Sequence, residues 1–311
     1  MRLGMLGASP GNGHPFSFSA IINGYEEQAF AKTDWQVILD YLKVQNPTDF
    51  GFSGVKVSHA WTQDPSITKS LCRACRIEHA VTNPADMIGK VDAVLIARDD
   101  ASSHWSLAKQ FLDSGIPLFI DKPLTLRLDE LERFWPHLCG GHVMSCSGFR
   151  FAVELDSLAV GLSNIGRLRL VRGSTLNDWE KYGIHLLEAA LQITKLVPVS
   201  VRRLPASHDS LFIETSGGPP IQIDALGNVS KLFHLECIGE KGRVSVDLMD
   251  NFGAFKNTIT AFLRMVRSGR PSIPAIETWQ SIATIIAGKR ATPGGDSVAP
   301  SVPDGKHRSN I

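Results

Sequence analysis

The sequence has no run of about 18 apolar residues, the length that a membrane-spanning helix needs. Its first residues read as a strand, with no apolar stretch behind a basic start, so no secretory leader is expected. Charge of one sign is missing too: 32 Lys and Arg face 31 Asp and Glu, a net +1. That balance supplies no chain-wide field to hold a polyanion, which sets nucleic acid aside, and with the apolar run absent it sets a membrane aside as well. Cysteine is scarce and odd in number, five in all. A secreted disulfide framework is therefore not expected, and reduced thiols in a cytoplasmic protein are. No internal repeat is visible. What is present is a hydrophobic fraction of 43% with 20% charged residues over 311 positions. That is the balance of a globular chain with enough length for about two domains.

Metal-ligand patterns are incomplete. Cys72, Cys75 and His79 make a C-x2-C-x3-H cluster, but a second ligand pair at matching spacing is missing, and closed structural zinc sites need four ligands. His137, Cys139, His142 and Cys146 are looser still. Both groups read more simply as helix and loop residues around a strand, and no metal is expected.

The first half alternates strands and helices. Residues 3–7 form a short apolar strand that runs into Ala8-Ser9-Pro10-Gly11-Asn12-Gly13-His14-Pro15, a stretch dense in turn formers. Phe18, Ile21, Ile22 and Tyr25 then give one helical stripe, and Trp35, Ile38, Leu39 and Leu42 a second, with Asp34 as its cap. Strands are expected at 55–61, 77–81, 91–97 and 117–120. The 91–97 run is almost wholly apolar, as a parallel strand covered on both faces must be. A helix capped by Ser102 or Ser103 and stopped by Gly115 follows it. From about residue 167 the pattern changes to strands that read as antiparallel, at 167–172, 199–204, 211–215, 221–226, 232–238 and 243–248. One long helix, 178–195, interrupts them, and two more follow, one striped by Ile259, Phe262, Leu263 and Val266 and one near 277–289. Beyond 291 the chain turns to Pro, Gly, Ser and Asp, and a mobile tail is expected over 291–311.

A strand, a glycine-rich turn and a helix form the dinucleotide-binding arrangement, in which backbone N–H groups meet a pyrophosphate. Here G-x-G-x-x-G is replaced by Gly7, Gly11 and Gly13 with Pro10 inserted, so the loop reads equally as a cofactor cradle or a structural turn. The acid expected about 20 residues on is absent; the nearest candidate, past the second strand, is Asp64.

The segment 91–124, with its apolar strand, His104, Ser114-Gly115 and Asp121-Lys122-Pro123, resembles the Gfo/Idh/MocA oxidoreductases, whose signature is Glu-Lys-Pro. Residues 273–287, with Glu277 before an apolar helix, resemble the family's carboxyl end. The resemblance implies an α/β protein: an N-terminal Rossmann dinucleotide-binding domain, 1–124, and a C-terminal α+β domain, 125–290. The latter would have an open-faced, mostly antiparallel sheet that carries substrate contacts and the interface of a homodimer or homotetramer. It implies NAD or NADP as cofactor, with NAD favoured, and Lys122 beside the nicotinamide, hydrogen-bonded to the oxygen of the carbon that exchanges hydride. Loss of hydride from a carbinol requires loss of the hydroxyl proton, and an ammonium stabilises charge on a carbonyl oxygen in the reverse direction. Otherwise Asp121 and Lys122 are a charged loop pair. Pro123 would hold the lysine in a cis bond or a tight turn.

The family's second signature, Asp four residues before His on a helix, is altered. His185 fits the histidine, but the earlier position is Lys181. Asp178, Tyr182 and His185 fall at i, i+4 and i+7 and are expected to share a face, His185 as proton acceptor, Tyr182 as auxiliary donor or substrate contact and Asp178 as substrate contact. The alternative for His185 is a satisfied core residue. Arg150, between two phenylalanines, is a candidate for an anionic substrate group or for an ion pair. Gly7, Ser9, Gly11, Asn12, Gly13, His14, Asp64, Arg98, His104 and Asp121 are the candidate cofactor contacts, with Asp99 and Asp100 bounding the nicotinamide ribose or capping the next helix. The function implied is NAD(P)-dependent interconversion of a secondary alcohol and a ketone on a sugar, cyclitol or nucleotide sugar. The alternative is a non-catalytic dinucleotide sensor or partner-binding protein.

Overall fold

In the computed structural model, which describes residues 1–303, the apolar runs of the first half become one parallel sheet. Its strands are β1 (Arg2–Leu6), β2 (Lys56–Trp61), β3 (His79–Ala80), β4 (Ala93–Ile96), β5 (Leu118–Ile120) and β6 (Val143–Met144). They lie in the order β3-β2-β1-β4-β5-β6, every pair parallel. The order reverses between β1 and β4, the switch point at whose carboxyl side open α/β sheets bind ligands. These two inner strands carry Leu3, Met5, Val94 and Ile96, all fully buried, because a strand covered on both faces has no solvent side. Helix His14–Asn23 packs against the sheet, with Phe18 edge-on to Phe119 at 5.7 Å.

The chain divides into two compact units. The first holds 1–122, 137–145 and 259–272, and the second 123–136, 146–258 and, of the described residues, 273–303. The chain thus returns to the first unit twice after residue 122, for β6 and for part of helix Asn251–Ser268. Helix Leu128–Cys139, which holds Pro136 inside it, has no counterpart in the expected elements.

The second unit is built on β7 (Leu168–Thr175), β8 (Pro198–Arg203), β9 (Asp209–Thr215), β10 (Ile221–Ala225), β11 (Phe233–Gly239) and β12 (Gly242–Asp247), in the order β12-β11-β7-β10-β9-β8. All neighbours are antiparallel except β7 and β10, so the sheet is mostly antiparallel, as expected. A parallel pair needs a long crossover, and the chain between them supplies it with helix Ile184–Thr194 and two further strands. This helix lies close on β7: a Cβ at Gly173 would come within 2.9 Å of Leu186 Cδ1.

The expected single helix over 178–195 is two structures. Asp178 caps a π-helical turn, Trp179–Gly183, and the α-helix begins only at Ile184 and ends at Lys195 in the left-handed region, φ 55°. Residues 291–303, expected to be mobile from composition, are held by backbone pairing. Val201 and Val298 exchange hydrogen bonds of 2.9 and 2.8 Å, Gly294 N–H donates to Arg203 O, and Trp279 Nε1 donates to Ser301 O at 2.9 Å. The rest of that expected tail, 304–311, lies outside the described residues. Among the described residues no helix is long and apolar enough to cross a membrane.

Candidate active site

In the first unit the loops after β1, β4 and β5 are stitched together by side chains. Ser9 Oγ donates to Asp99 Oδ1 at 2.5 Å, and Asp99 N–H donates back to Ser9 Oγ. Asp121, at the end of β5, is buried; its Oδ2 accepts from Asn12 Nδ2 at 3.2 Å and pairs with His14 Nδ1 at 2.5 Å. Burial pushes the Asp121 carboxyl up, but His14 and Lys122 outweigh it and hold the group down at about 2. Asp121 is therefore an ionised anchor for the glycine loop. Its Oδ1 also accepts the backbone N–H of Lys122 at 2.9 Å, which fixes the start of the lysine, itself only 4% exposed. The Lys122–Pro123 peptide is trans and the chain bends there.

The loop itself is tight. A Cβ at Gly7 would strike Pro15 Cγ at 2.1 Å and one at Gly13 would strike Ile38 Cδ1 at 2.4 Å, whereas one at Gly11, φ +77°, would meet nothing within 4 Å. Glycine is thus needed at 7 and 13 for close packing and at 11 for its backbone conformation. Asn12 Oδ1 accepts from His14 N–H at 2.8 Å, and Pro15 has none to give, so the first turn of the helix offers fewer free donors to a phosphate than usual.

A cavity of about 420 Å³ opens beside this loop. Of the expected cofactor contacts only Ser9 and Gly11 line it, together with Trp35, Gln63, Ser66 and Ile67. Those hydroxyl, amide and aromatic groups suit a nucleotide, and the open flank of Gly11 leaves room for one, so the residues present fit a dinucleotide. The others are turned to structural work. Asp64 Oδ1 accepts Ser66 N–H at 2.7 Å as the cap of helix Pro65–Ala74. Arg98 makes a two-pronged pair with Asp100 at 2.6 and 2.8 Å and reaches Gln63 Oε1 at 2.8 Å. His104, fully buried, bonds the Arg98 carbonyl through Nε2 at 2.9 Å. Gln63 was legible only from its place two residues past β2, where a dinucleotide fold expects a ribose contact.

In the second unit His185, 9% exposed, is walled by rings, with centroids of Phe149, Phe233 and Tyr182 at 5.5, 5.2 and 5.7 Å. Its Nδ1 lies 2.6 Å from Ser147 Oγ. Tyr182 stacks on Phe233 at 14°. Asp178 does not join this group: as the cap of the π turn its Oδ1 accepts Lys181 N–H at 2.8 Å, because the wider turn breaks the i, i+4, i+7 alignment of an α-helix. Arg150, buried, is ion-paired with Glu277, the second of the two roles expected for it. Two residues here were not anticipated, Ser147 and Glu188. Burial pushes Glu188 up to about 7 although Arg150 and the Ser147 N–H pull it down.

Cys72, Cys75 and His79 do not converge: the ring of His79 lies against His59 at 4.6 Å, and Cys75 Sγ donates to Phe16 O at 3.4 Å. Among the described residues no group of three or more His, Cys, Asp or Glu side chains is placed to hold a metal ion.

Residues 39–144 match the model of the Gfo/Idh/MocA family, described as an oxidoreductase family with an NAD-binding Rossmann fold. YceM of Salmonella typhimurium is 26% identical over 125 residues, a match that spans 40% of this chain and 40% of that protein. Among solved structures, scyllo-inositol dehydrogenase from Lactobacillus casei, with bound NAD(H) and scyllo-inositol, superposes with a TM-score of 0.75 at 15% identity, over 97% of this chain and 99% of that one. Myo-inositol 2-dehydrogenase from Lactobacillus plantarum has a TM-score of 0.75 at 16% identity, over 97% and 99%. At such identities the structural likeness carries the fold. Residues 39–144, with strands β2 to β6 among them, match the Gfo/Idh/MocA family's NAD-binding Rossmann fold.

Proposed function

We propose that this NAD-binding oxidoreductase interconverts a secondary alcohol and a ketone on a sugar, cyclitol or nucleotide-activated sugar, with Lys122 as a catalytic residue. The observation that carries the reading is Asp121: a buried, ionised carboxylate that ties the glycine loop to the backbone N–H of Lys122, at the ligand-binding end of a parallel sheet. A bound dinucleotide, NAD or NADP, supplies the hydride or accepts it. Ser9, Gly11, Gln63 and Ser66 would hold it. The Lys122 side chain takes up the hydroxyl proton as the neutral amine or delivers it as the ammonium, and the ammonium stabilises charge on the carbonyl oxygen. His185, oriented at Nδ1, is the second proton-handling group, and Tyr182 lends its phenol and an aromatic face to a ring substrate. The inositols named for the two similar structures support cyclitols as the first class to assay.

Lys122→Ala should bind NADH or NADPH with quenching like that of the parent chain and should lose turnover across a panel of inositols and sugars. An ammonium acting on the reacting oxygen is expected to contribute a factor of about 100 to 10,000. Undiminished turnover would remove Lys122 from the chemistry. The second reading, a dinucleotide sensor without turnover, is favoured by one observation, the donor-poor first turn of helix His14–Asn23. It predicts quenching by NADH and no turnover in the parent chain.

A further inference from the structure

We propose that Ser147 is the positioning residue of His185 and that Glu188 holds Ser147 in place, an inference that rests on His185 handling a proton. His185 and Glu188 stand three residues apart on helix Ile184–Thr194, a spacing that puts both on one face. Both fasten on the same residue of another segment: His185 Nδ1 lies 2.6 Å from Ser147 Oγ, and Ser147 N–H donates to Glu188 Oε2 at 2.6 Å. Ser147 is fully buried and caps the turn Gly148–Phe151, its Oγ accepting Phe149 N–H at 3.2 Å. The hydroxyl keeps one proton to donate; given to Nδ1, it places the proton of a neutral imidazole on Nε2.

Ring walls on Phe149, Phe233 and Tyr182 restrict the imidazole plane, and the hydrogen bond with Ser147 at Nδ1 marks one of its two nitrogens. The position one turn earlier, where an Asp would be expected from the resemblance, is Lys181, so orientation comes from a different segment. The ionisable groups around the ring and its support are Glu188 on the same helix, Tyr182 on the π turn, and the Arg150–Glu277 pair.

The test is nitrogen-15 NMR of the full chain without dinucleotide, the His185 ring signals being assigned by their loss in His185→Asn. In the parent chain, with the imidazole neutral, one nitrogen should carry the proton and the other not. Ser147→Ala should average the two signals, and so should Glu188→Ala, which keeps the hydroxyl but frees its backbone. Glu188→Gln, still an acceptor for Ser147 N–H, should restore the parent pair. Unchanged ring signals in Ser147→Ala would overturn the assignment. If that variant does not fold, identical signals in Glu188→Ala and Glu188→Gln would overturn it instead. Because no turnover enters this measurement, it fails separately from the catalytic reading, which fails if His185→Asn keeps full activity.

Discussion

Glu188 is a carboxyl placed where its charge is costly, and the cost has a sign that can be read in stability. Burial lifts it from 4.5 to about 7 in the folded chain, against the pull of Arg150. A raised carboxyl pKa means that the unfolded chain releases its proton first. The protonated group's contribution is complete below about pH 4.5 and is lost as pH rises to about 7. Glu188→Gln keeps the acceptor for Ser147 and cannot ionise. It should flatten the pH dependence over that window and gain stability at pH 8, by an amount on the order of 3 kcal/mol. Urea midpoints at pH 5 and pH 8 check this: the parent should fall between them and the variant should not, and parallel curves would show that the carboxyl stays ionised in the fold. The retention of such a group beside His185 argues that it serves the site at the expense of the fold.

The π turn Trp179–Gly183 shows why one element was only half legible. Helical spacing marks 178–195 as apolar on one side, but spacing cannot show where an indole needs a wider turn. Trp179 is fully buried, donates Nε1–H to Ile285 O at 3.0 Å, and sits where Gly183 and Gly288 lack side chains. A Cβ at Gly288 would come within 2.4 Å of that Nε1. Gly288→Ala gains up to about 1 kcal/mol of helix propensity but overpacks the indole at about 1–3 kcal/mol, so the net effect should be destabilising. A melting temperature lowered by a few degrees is expected; an increase would mean that the indole moves aside freely. Other elements were readable to the degree that one contact type decides them. The 91–97 run was clear because burial on both faces demands unbroken apolarity. The β9–β10 hairpin was clear because Gly217 to Pro220 is turn chemistry. The parallel β7–β10 pair, the pinning of 291–303 and the Ser147–Glu188 bond depend on partners 50, 97 and 41 residues away, and no local pattern encodes those.

At the scale of the whole molecule, the second sheet has two unequal faces. Val171, Gly173 and Thr175 of β7 are buried, with helix Ile184–Thr194 lying over Gly173. Alternation sends Leu170, Arg172 and Ser174 to the other face, where Leu170 pairs in register with Ile238. Phe212 of β9 is partly exposed there as well. Most of the charges on that face already have cross-strand partners: Arg243 with Glu236 at 2.8 Å, His234 with Asp247 at 2.7 Å, and Arg172 with Asp224 at 3.7 Å. Charges satisfied within one chain gain little from a second chain and must still be desolvated by it, so association through this face has to be driven by its apolar residues. We propose a homodimer or homotetramer formed in this way. Light scattering should give a mass of two or four times 33.9 kDa, little weakened by salt because the paired charges are not what joins the chains. Leu170→Lys with Phe212→Lys should reduce the mass to that of one chain with the melting transition retained, whereas a parent chain that is monomeric at every concentration tested would refute the interface.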